Sequence, residues 1–196
     1  MTHQVFAFEP PERFVAGTVG PPGERTFYLQ ARGGGRLVSV VLEKVQVTLL
    51  AEKLEELLAE AHQRFSLELP GPSTNPPDND PLDSPVDEEF RVGTLGLAFD
   101  VEDNSVIIEA IAADDAAEFD AETDDVGEED DDSSDAPTIS DDLDRLRVRL
   151  TPVAVRDFID RARRVIAAGR PPCPLCGQPL DTSGHLCPRH NGYHRR

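Results

Sequence analysis

The sequence predicts an α+β protein in which an antiparallel sheet carries two helices and a small cysteine-rich module follows at the carboxyl end. Three observations lead to this prediction. Short apolar runs punctuated by Gly and Pro are typical of strands, two segments repeat apolar residues at helical spacing, and all three cysteines lie between residues 173 and 187. A chain of 196 residues suits one domain with an appendage, which we place at 1–168 and 169–196.

The first part of the chain is rich in strand signals. The runs VFAF and RFVAGTV are separated by Pro10-Pro11, and TFYLQAR and RLVSVVL flank Gly33-Gly34-Gly35, a turn signal that predicts a hairpin. We expect three short strands here. The segment VQVTLLAEKLEELLAEAHQRF, residues 45–65, then repeats apolar residues at helical spacing and predicts the first helix.

The second half repeats this order. EFRVGTLGLAFD predicts a strand with an irregularity at its glycines, Asp103-Asn104 predicts a turn, and a second strand is expected from Val106 to Ile111. LDRLRVRL alternates apolar residues with arginines, as a half-exposed strand does. Thr151-Pro152 then supplies a cap and first residue for the helix VAVRDFIDRARRVIAA.

The two helical junctions are similar in sequence. Residues 37–53 align without gaps on residues 145–161, so that Leu42 falls on Leu150 and Val47 on Val155. The alignment predicts a duplicated β-β-β-α unit with both helices on one sheet face. The alternative is that every strand-to-helix junction resembles every other by pattern alone.

Two loops, 66–87 and 113–142, are predicted to be disordered. The first contains six prolines and few apolar residues. Between Asp114 and Asp142 there are 15 acidic residues and no Lys or Arg, which accounts for most of the net charge of −19.

The expected compartment is the cytoplasm. The start, MTHQVFAFEPPERF, lacks the basic and apolar regions of a signal peptide, and no apolar run is long enough to span a membrane. Because thiols stay reduced in the cytoplasm, clustered cysteines there are more often metal ligands or redox groups than disulfides.

The segment CPLCGQPLDTSGHLCPRHNGYHRR predicts a zinc ribbon. Cys173 and Cys176 have the spacing of a zinc knuckle, and Cys187 supplies a third thiolate. His190 would repeat the spacing of the first pair, whereas His185 lies on the same side of an extended strand as Cys187. Three thiolates and one imidazole leave no position for water, so the expected Zn²⁺ is structural. The alternatives are a redox pair and cysteines without a ligand.

The chain resembles an actinobacterial family of uncharacterised proteins, domain of unknown function 3090. The segments PPERFVAGTVGPPGERTFYLQAR, LVSVVLEKVQV and CPLCGQPLD..GH.CPR.NGY carry the resemblance, which covers essentially the whole chain. It implies no activity or substrate. In the family pattern the position of His190 varies, and this favours His185 as the fourth zinc ligand.

We therefore expect a non-enzymatic cytoplasmic zinc-binding protein of unknown pathway that acts through contacts with an unknown protein partner, away from membranes. The first alternative is nucleic-acid binding through the ribbon and the basic end, where residues 144–196 have a net charge of +7. It is not favoured, because the acidic run is adjacent and aromatic residues are scarce. The arginines concerned are Arg145, Arg147, Arg149, Arg161, Arg163, Arg164, Arg189, Arg195 and Arg196.

A second alternative is an enzyme or a protein that binds phosphorylated metabolites. Arg13 and Arg25 lie among Gly and Pro in one predicted loop region and could bind a phosphate or carboxylate together. Equally, both arginines could pair with acidic residues of the protein surface.

Overall fold

The computed structural model describes residues 3–65, 76–114, 142–169, 173–176 and 187. Within them the chain forms an α+β domain of seven strands and two helices. In chain order these are β1 (Val5–Phe8), β2 (Arg13–Val19), β3 (Thr26–Gly33), β4 (Arg36–Leu42), α1 (Lys44–Phe65), β5 (Glu88–Asp100), β6 (Ser105–Ala112), β7 (Arg145–Leu150) and α2 (Pro152–Ala167). Neither helix is both long and apolar enough to cross a membrane.

The seven strands form one mixed sheet, in the order β1-β7-β6-β5-β4-β3-β2. The prediction of an antiparallel sheet is wrong at two places, since β1 pairs parallel with β7 and β4 pairs parallel with β5. Helix α1 and the segment after it connect β4 to β5, so that β5 begins at the same end of the sheet as β4. The remaining four pairings are antiparallel, as expected.

The chain passes twice through three antiparallel strands and a helix, first as β2-β3-β4-α1 and then as β5-β6-β7-α2. Leu42 and Leu150 are the last residues of β4 and β7, and Val47 and Val155 are the matching buried residues of the two helices. This is the order that a repeated β-β-β-α unit requires; a common origin of the two units stays a prediction. Four strands rather than three precede α1, because β1 lies outside the repeat.

The sheet curls so that its two edges approach each other. The edge strands β1 and β2 are linked only by residues 9–12, a connection that spans at most about 18 Å. In a flat sheet the six gaps between seven strands would separate these edges by about 29 Å. The contacts agree with curling: the Arg36 guanidinium lies 5.2 Å from the centroid of the Phe8 ring and donates a hydrogen bond to the carbonyl of Ala7.

Both helices pack their apolar residues against one face of the curled sheet. The Phe158 ring of α2 stacks on Phe14 of β2 with 4.9 Å between ring centroids. The Thr151 side chain accepts a hydrogen bond from the Ala154 N–H, which confirms the predicted cap. The buried residues of the two helices are Val47, Leu50, Ala51, Leu54, Leu58 and Ala61 in α1 and Val155, Phe158, Ile159, Arg161 and Ala162 in α2.

The turns follow the sequence signals. Gly34 and Gly35 both have positive φ between β3 and β4, and the turn between β5 and β6 places Asn104 at φ 46°. The expected irregularity of β5 is a register shift between Val92 and Thr94, at Gly93. A Cβ atom on Gly93 would lie 2.7 Å from the Cα of Ala113, so a larger residue does not fit at this bulge.

Residues 76–87, which we call the strap, are ordered and bonded to the sheet. The prediction of a disordered loop over 66–87 is wrong for these residues; 66–75, like residues 115–141 of the acidic run, lie outside the described part of the chain. Leu82 packs on Gly17, and the backbone N–H of Asp83 donates to the side chain of Gln30. These contacts lie on the sheet face opposite to the helices, because Gly17 and Gln30 alternate with core residues.

Arg161 of α2 joins the strap to the edge of the sheet. The side chain is 6% exposed. Its Nε donates to the carbonyl of Ala16 on β2, Nη1 donates to the carboxylate and carbonyl of Asp78, and Nη2 donates to the carbonyl of Asp80. One guanidinium thus binds three backbone carbonyls, and the strap covers the edge strand β2 at this point.

Replacing Arg161 with Ala is expected to lower the free energy of unfolding by roughly 2–4 kcal/mol, because the buried carbonyl of Ala16 loses its donor and Asp78 and Asp80 each lose a charge-assisted hydrogen bond. Urea denaturation followed by circular dichroism measures the change. Arg163→Ala is the matched control, since its side chain lies two residues away and forms an exposed ion pair with Glu55. That loss should be at most about 1 kcal/mol, and equal losses for both variants would contradict the role of Arg161.

The packing of the strap on Gly17 is tested by a double-mutant cycle. A Cβ atom on Gly17 would lie 2.5 Å from Cδ2 and 2.6 Å from Cγ of Leu82, so Gly17→Ala is expected to destabilise the protein by about 1–3 kcal/mol. Leu82→Ala removes the colliding atoms, and in that background Gly17→Ala should have a much smaller effect. Additive changes in unfolding free energy would show that the two residues do not touch.

Candidate metal centre

The three cysteines of the chain converge at one point. The Sγ atoms of Cys173, Cys176 and Cys187 all lie within 4.8 Å of one another, and those of Cys173 and Cys187 are 3.8 Å apart. No disulfide joins the three cysteines, and the Cys173–Cys187 distance of 3.8 Å is far longer than the roughly 2.0 Å of a disulfide bond. The thiols therefore form a cluster that could hold a metal ion, between residues that are 14 positions apart in the chain.

A short turn brings the first two cysteines together. Residues 174–176 form this turn immediately after Cys173, so the two thiols of the Cys-x-x-Cys pair point toward the same region. Cys173 is 6% exposed and Cys187 8%, whereas Cys176 is partly exposed. Leu175, between the two ligand positions, is 46% exposed.

The geometry fits a tetrahedral metal ion with sulfur ligands. With Zn–S bonds of about 2.3 Å, two sulfurs at a tetrahedral zinc are about 3.8 Å apart. The Cys173–Cys187 distance has this value, and the remaining distances need to contract by at most about 1 Å. Three thiolates this close, two of them buried, would repel one another strongly, and a divalent cation removes that repulsion.

The fourth ligand predicted from the sequence is not tested by the structure. His185 and the alternative His190 both lie outside the described residues. The choice between them stays a prediction.

Arg13 does not belong to an open binding site, because the strap occupies it. Its guanidinium donates to the carboxylates of Asp78 and Asp83 at 2.8 Å and 3.0 Å and to the carbonyls of Asp80 and Pro81. The hydrogen bond to Asp78 raises the pKa of Arg13 above its usual value. Of the two expectations for this arginine, pairing with an acidic residue of the protein is the one found.

Arg25 lies at the other end of the same hairpin. Arg13 pairs with Arg32 at one end of the β2–β3 hairpin. Arg25 directly precedes Thr26, which pairs with Val19 at the other end, so Arg13 and Arg25 are about 20 Å apart. The structure therefore does not bring Arg13 and Arg25 into one ligand site. Arg25 instead donates a hydrogen bond of 2.6 Å from Nη1 to the carbonyl of Ala168, at the end of α2.

The arginines of the basic end mostly face carboxylates. Arg145, Arg147 and Arg149 share one face of β7, as predicted, and the intervening residues are buried in the core. The ion pairs among described residues join Arg147 to Glu9 and Glu109, Arg149 to Asp100 and Asp103, Arg161 to Asp78 and Arg163 to Glu55. Much of the positive charge that a nucleic acid would meet is thus compensated within the protein.

The sequence interpretation missed two features. The prolines of residues 66–87 predict disorder, although the acidic residues of PPDNDPLD are a signal that the strap could bind arginines. Lys44 is not among the predicted site residues, yet it lines a cavity together with Arg25.

Fold and site together define an α+β protein with a cluster of three thiols that could hold a metal ion. The chain belongs to a protein family of unknown function, DUF3090, which it matches over residues 6–187. No curated protein and no solved structure matches the chain.

The contacts of Asp78 predict a loss of stability in acid. The hydrogen bond from Arg13 is the largest cause that lowers the pKa of Asp78 below its usual value. A lowered pKa means that Asp78 contributes stability that is complete above the unfolded value of about 4 and disappears as the pH falls through the lower folded value.

Asp78→Asn should therefore lose less unfolding free energy than the wild type when the pH is lowered from about 5 to 2. Urea denaturation at a series of pH values measures the difference. Asp87→Asn is the matched control from the same strap, since Asp87 forms no ion pair with any described residue. A pH dependence that Asp78→Asn and Asp87→Asn change equally would exclude this role for Asp78.

Proposed function

We propose that the protein binds one structural Zn²⁺ through Cys173, Cys176, Cys187 and one histidine, His185 or in its place His190. The observation that carries the proposal is the convergence of three cysteine Sγ atoms within 4.8 Å, with one Sγ–Sγ distance of 3.8 Å that matches a tetrahedral zinc ion. Soft thiolate ligands select zinc or iron–sulfur centres, and a set that includes one imidazole favours zinc. This ion would tie residues 173–176 to Cys187 as a small ribbon.

The role that this metal supports is structural rather than catalytic. Three thiolates and one imidazole fill a tetrahedral zinc ion, which leaves no position at which water or a substrate could bind. The proposed protein is therefore a non-enzymatic one, in which the ion stabilises a local surface. The cytoplasm keeps thiols reduced and available for the metal, so we place the protein there.

The surface that the metal would hold supports contact with another protein. Leu175 lies between two ligand positions and is 46% exposed. Val45 and Leu49 on α1 are also exposed, at 61% and 48%. Exposed large apolar side chains of this kind, on the metal-binding segment and separately on α1, support contact with another protein. The proposed function is accordingly that of a zinc-binding protein acting through a protein partner.

Nucleic-acid binding is the less favoured proposal, because the described arginines of the basic end are largely paired with carboxylates. Deleting residues 170–196 provides its test. If the full chain binds DNA or RNA with a steep salt dependence and the deletion abolishes this binding, the proposal of a protein partner is replaced.

The zinc proposal predicts about one zinc ion per chain in protein purified without added metal or chelator. Cys173→Ser, Cys176→Ser and Cys187→Ser should each reduce the zinc content strongly, because a hydroxyl is a far weaker zinc ligand than a thiolate. Inductively coupled plasma mass spectrometry measures the content. His185→Ala and His190→Ala distinguish the two candidate fourth ligands, since only one of them should release the metal.

His62→Ala is the matched control for the histidine variants, since His62 lies near the end of α1 in an exposed position. It should retain the wild-type zinc content. Wild-type protein with well under one zinc ion per chain, or cysteine variants that retain the metal, would refute the proposal.

A further inference from the structure

A cavity of about 510 Å³ lies between the start of β3, the start of α1 and the last turn of α2. Arg25 and Lys44 line it from two sides, and Phe27, Val165 and Ile166 supply apolar surface. Its volume falls in the range of small-molecule sites, about 300–1,000 Å³. None of the three cysteines is among the described residues that line the cavity.

The charge of the cavity is positive. Neither Arg25 nor Lys44 forms an ion pair with a described residue, in contrast to Arg13 and Arg161, and no described acidic residue lines the cavity. The nearest carboxylate in sequence to Lys44 is Glu43, which binds Arg91 at 2.8 Å. Two cationic side chains therefore share one cavity without a compensating carboxylate among its described residues.

Arg25 and Lys44 each lie at a helix end, and both retain hydrogen-bond donors for a ligand. Arg25 uses Nη1 to satisfy the carbonyl of Ala168 beyond α2, which leaves Nε and Nη2 as further donors. Lys44 is the first residue of α1, whose first turn contains no acidic residue, so the partial positive charge of the helix adds to that of its ammonium. The Nζ of Lys44 lies 3.9 Å from the Cβ position of Gly169, which places it near the end of α2.

We propose that this cavity binds a small phosphate monoester whose apolar group packs against Phe27, Val165 and Ile166. A phosphate monoester carries a charge of about −1.5 to −2 near pH 7, which matches the two cations better than a single carboxylate does. Arg25 offers two parallel donors to the phosphate oxygens, and Lys44 adds a point charge from the other side.

The test uses phenyl phosphate as the probe, titrated into the full-length, zinc-loaded chain by isothermal calorimetry. One saturable site is expected. Benzyl alcohol, which keeps the ring and lacks the phosphate, should not bind. Benzoate and inorganic phosphate should bind at least about tenfold more weakly, because each lacks part of the charge or the apolar group. Amide shifts of Gly23 and Gly169, both of which line the cavity, should accompany binding of phenyl phosphate.

Lys44→Ala and Arg25→Ala should each weaken binding of phenyl phosphate by about tenfold or more, the effect of losing one charge-assisted hydrogen bond. Lys44 is exposed, so its variant is expected to fold and to remain decisive if Arg25→Ala lowers the stability of α2. Arg64→Ala is the matched control, since Arg64 lies about 30 Å away at the other end of α1.

Three results would overturn the proposal. The first is the absence of saturable binding of phenyl phosphate at millimolar concentration. The second is equal binding of benzyl alcohol, which would indicate an apolar site without charge selection. The third is an affinity that Lys44→Ala leaves unchanged, or that Arg64→Ala reduces to the same extent.

Discussion

The guanidinium of Arg161 is the interaction on which the closure of this fold depends. It projects from α2 past the edge of the sheet and binds the backbone of β2 and of the strap at once. Asp78 also binds Arg13, which lies on the opposite sheet face. Its carboxylate thereby joins α2, the edge strand β2 and the strap in one polar network. Because the bond to Ala16 is buried, the carbonyl of that residue would otherwise lie away from water without this donor, while the carbonyls of Asp78 and Asp80 also accept from Arg164 and Arg13. The same network engages the Arg13 guanidinium with the carboxylates and carbonyls of the strap.

The local parts of the fold could be predicted from the sequence, and the long-range pairings could not. Apolar alternation and helical spacing identified β7, α1 and α2, and the glycines at 34 and 35 identified the hairpin. The parallel pairing of β4 with β5 depends on where α1 returns the chain, and no residue of either strand encodes that direction. The strap was missed for a related reason. Its order comes from hydrogen bonds to arginines elsewhere in the chain, whereas its own composition of proline and acidic residues is typical of linkers.

The candidate sites likewise divide into one that local spacing predicts and one that depends on long-range pairing. The thiol cluster was predictable, because Cys173 and Cys176 are separated by only two residues and must lie close together, and Cys187 was the remaining cysteine of the chain. Arg13 and Arg25 are close in sequence, yet the hairpin places them at opposite ends of two strands. Arg25 and Lys44 lie on different elements and still line one cavity. Spacing along the chain is thus a guide to proximity within a turn, whereas across a sheet the register decides which side chains meet.

The pairing of β1 with β7 determines when the domain can be completed during synthesis. Val5 pairs with Arg145, so the first strand has no partner until 140 further residues have been made. At a translation rate of about 5–20 residues per second, this strand waits for roughly 7–28 s after it leaves the ribosome. During that time β2, β3, β4 and α1 can already assemble, while Phe6 and Phe8 stay exposed to water. Strand β1 is therefore made before the other strands of this sheet and is among the last to enter the core, and a ribosome-bound chain truncated before residue 145 presents an unpaired apolar strand to chaperones.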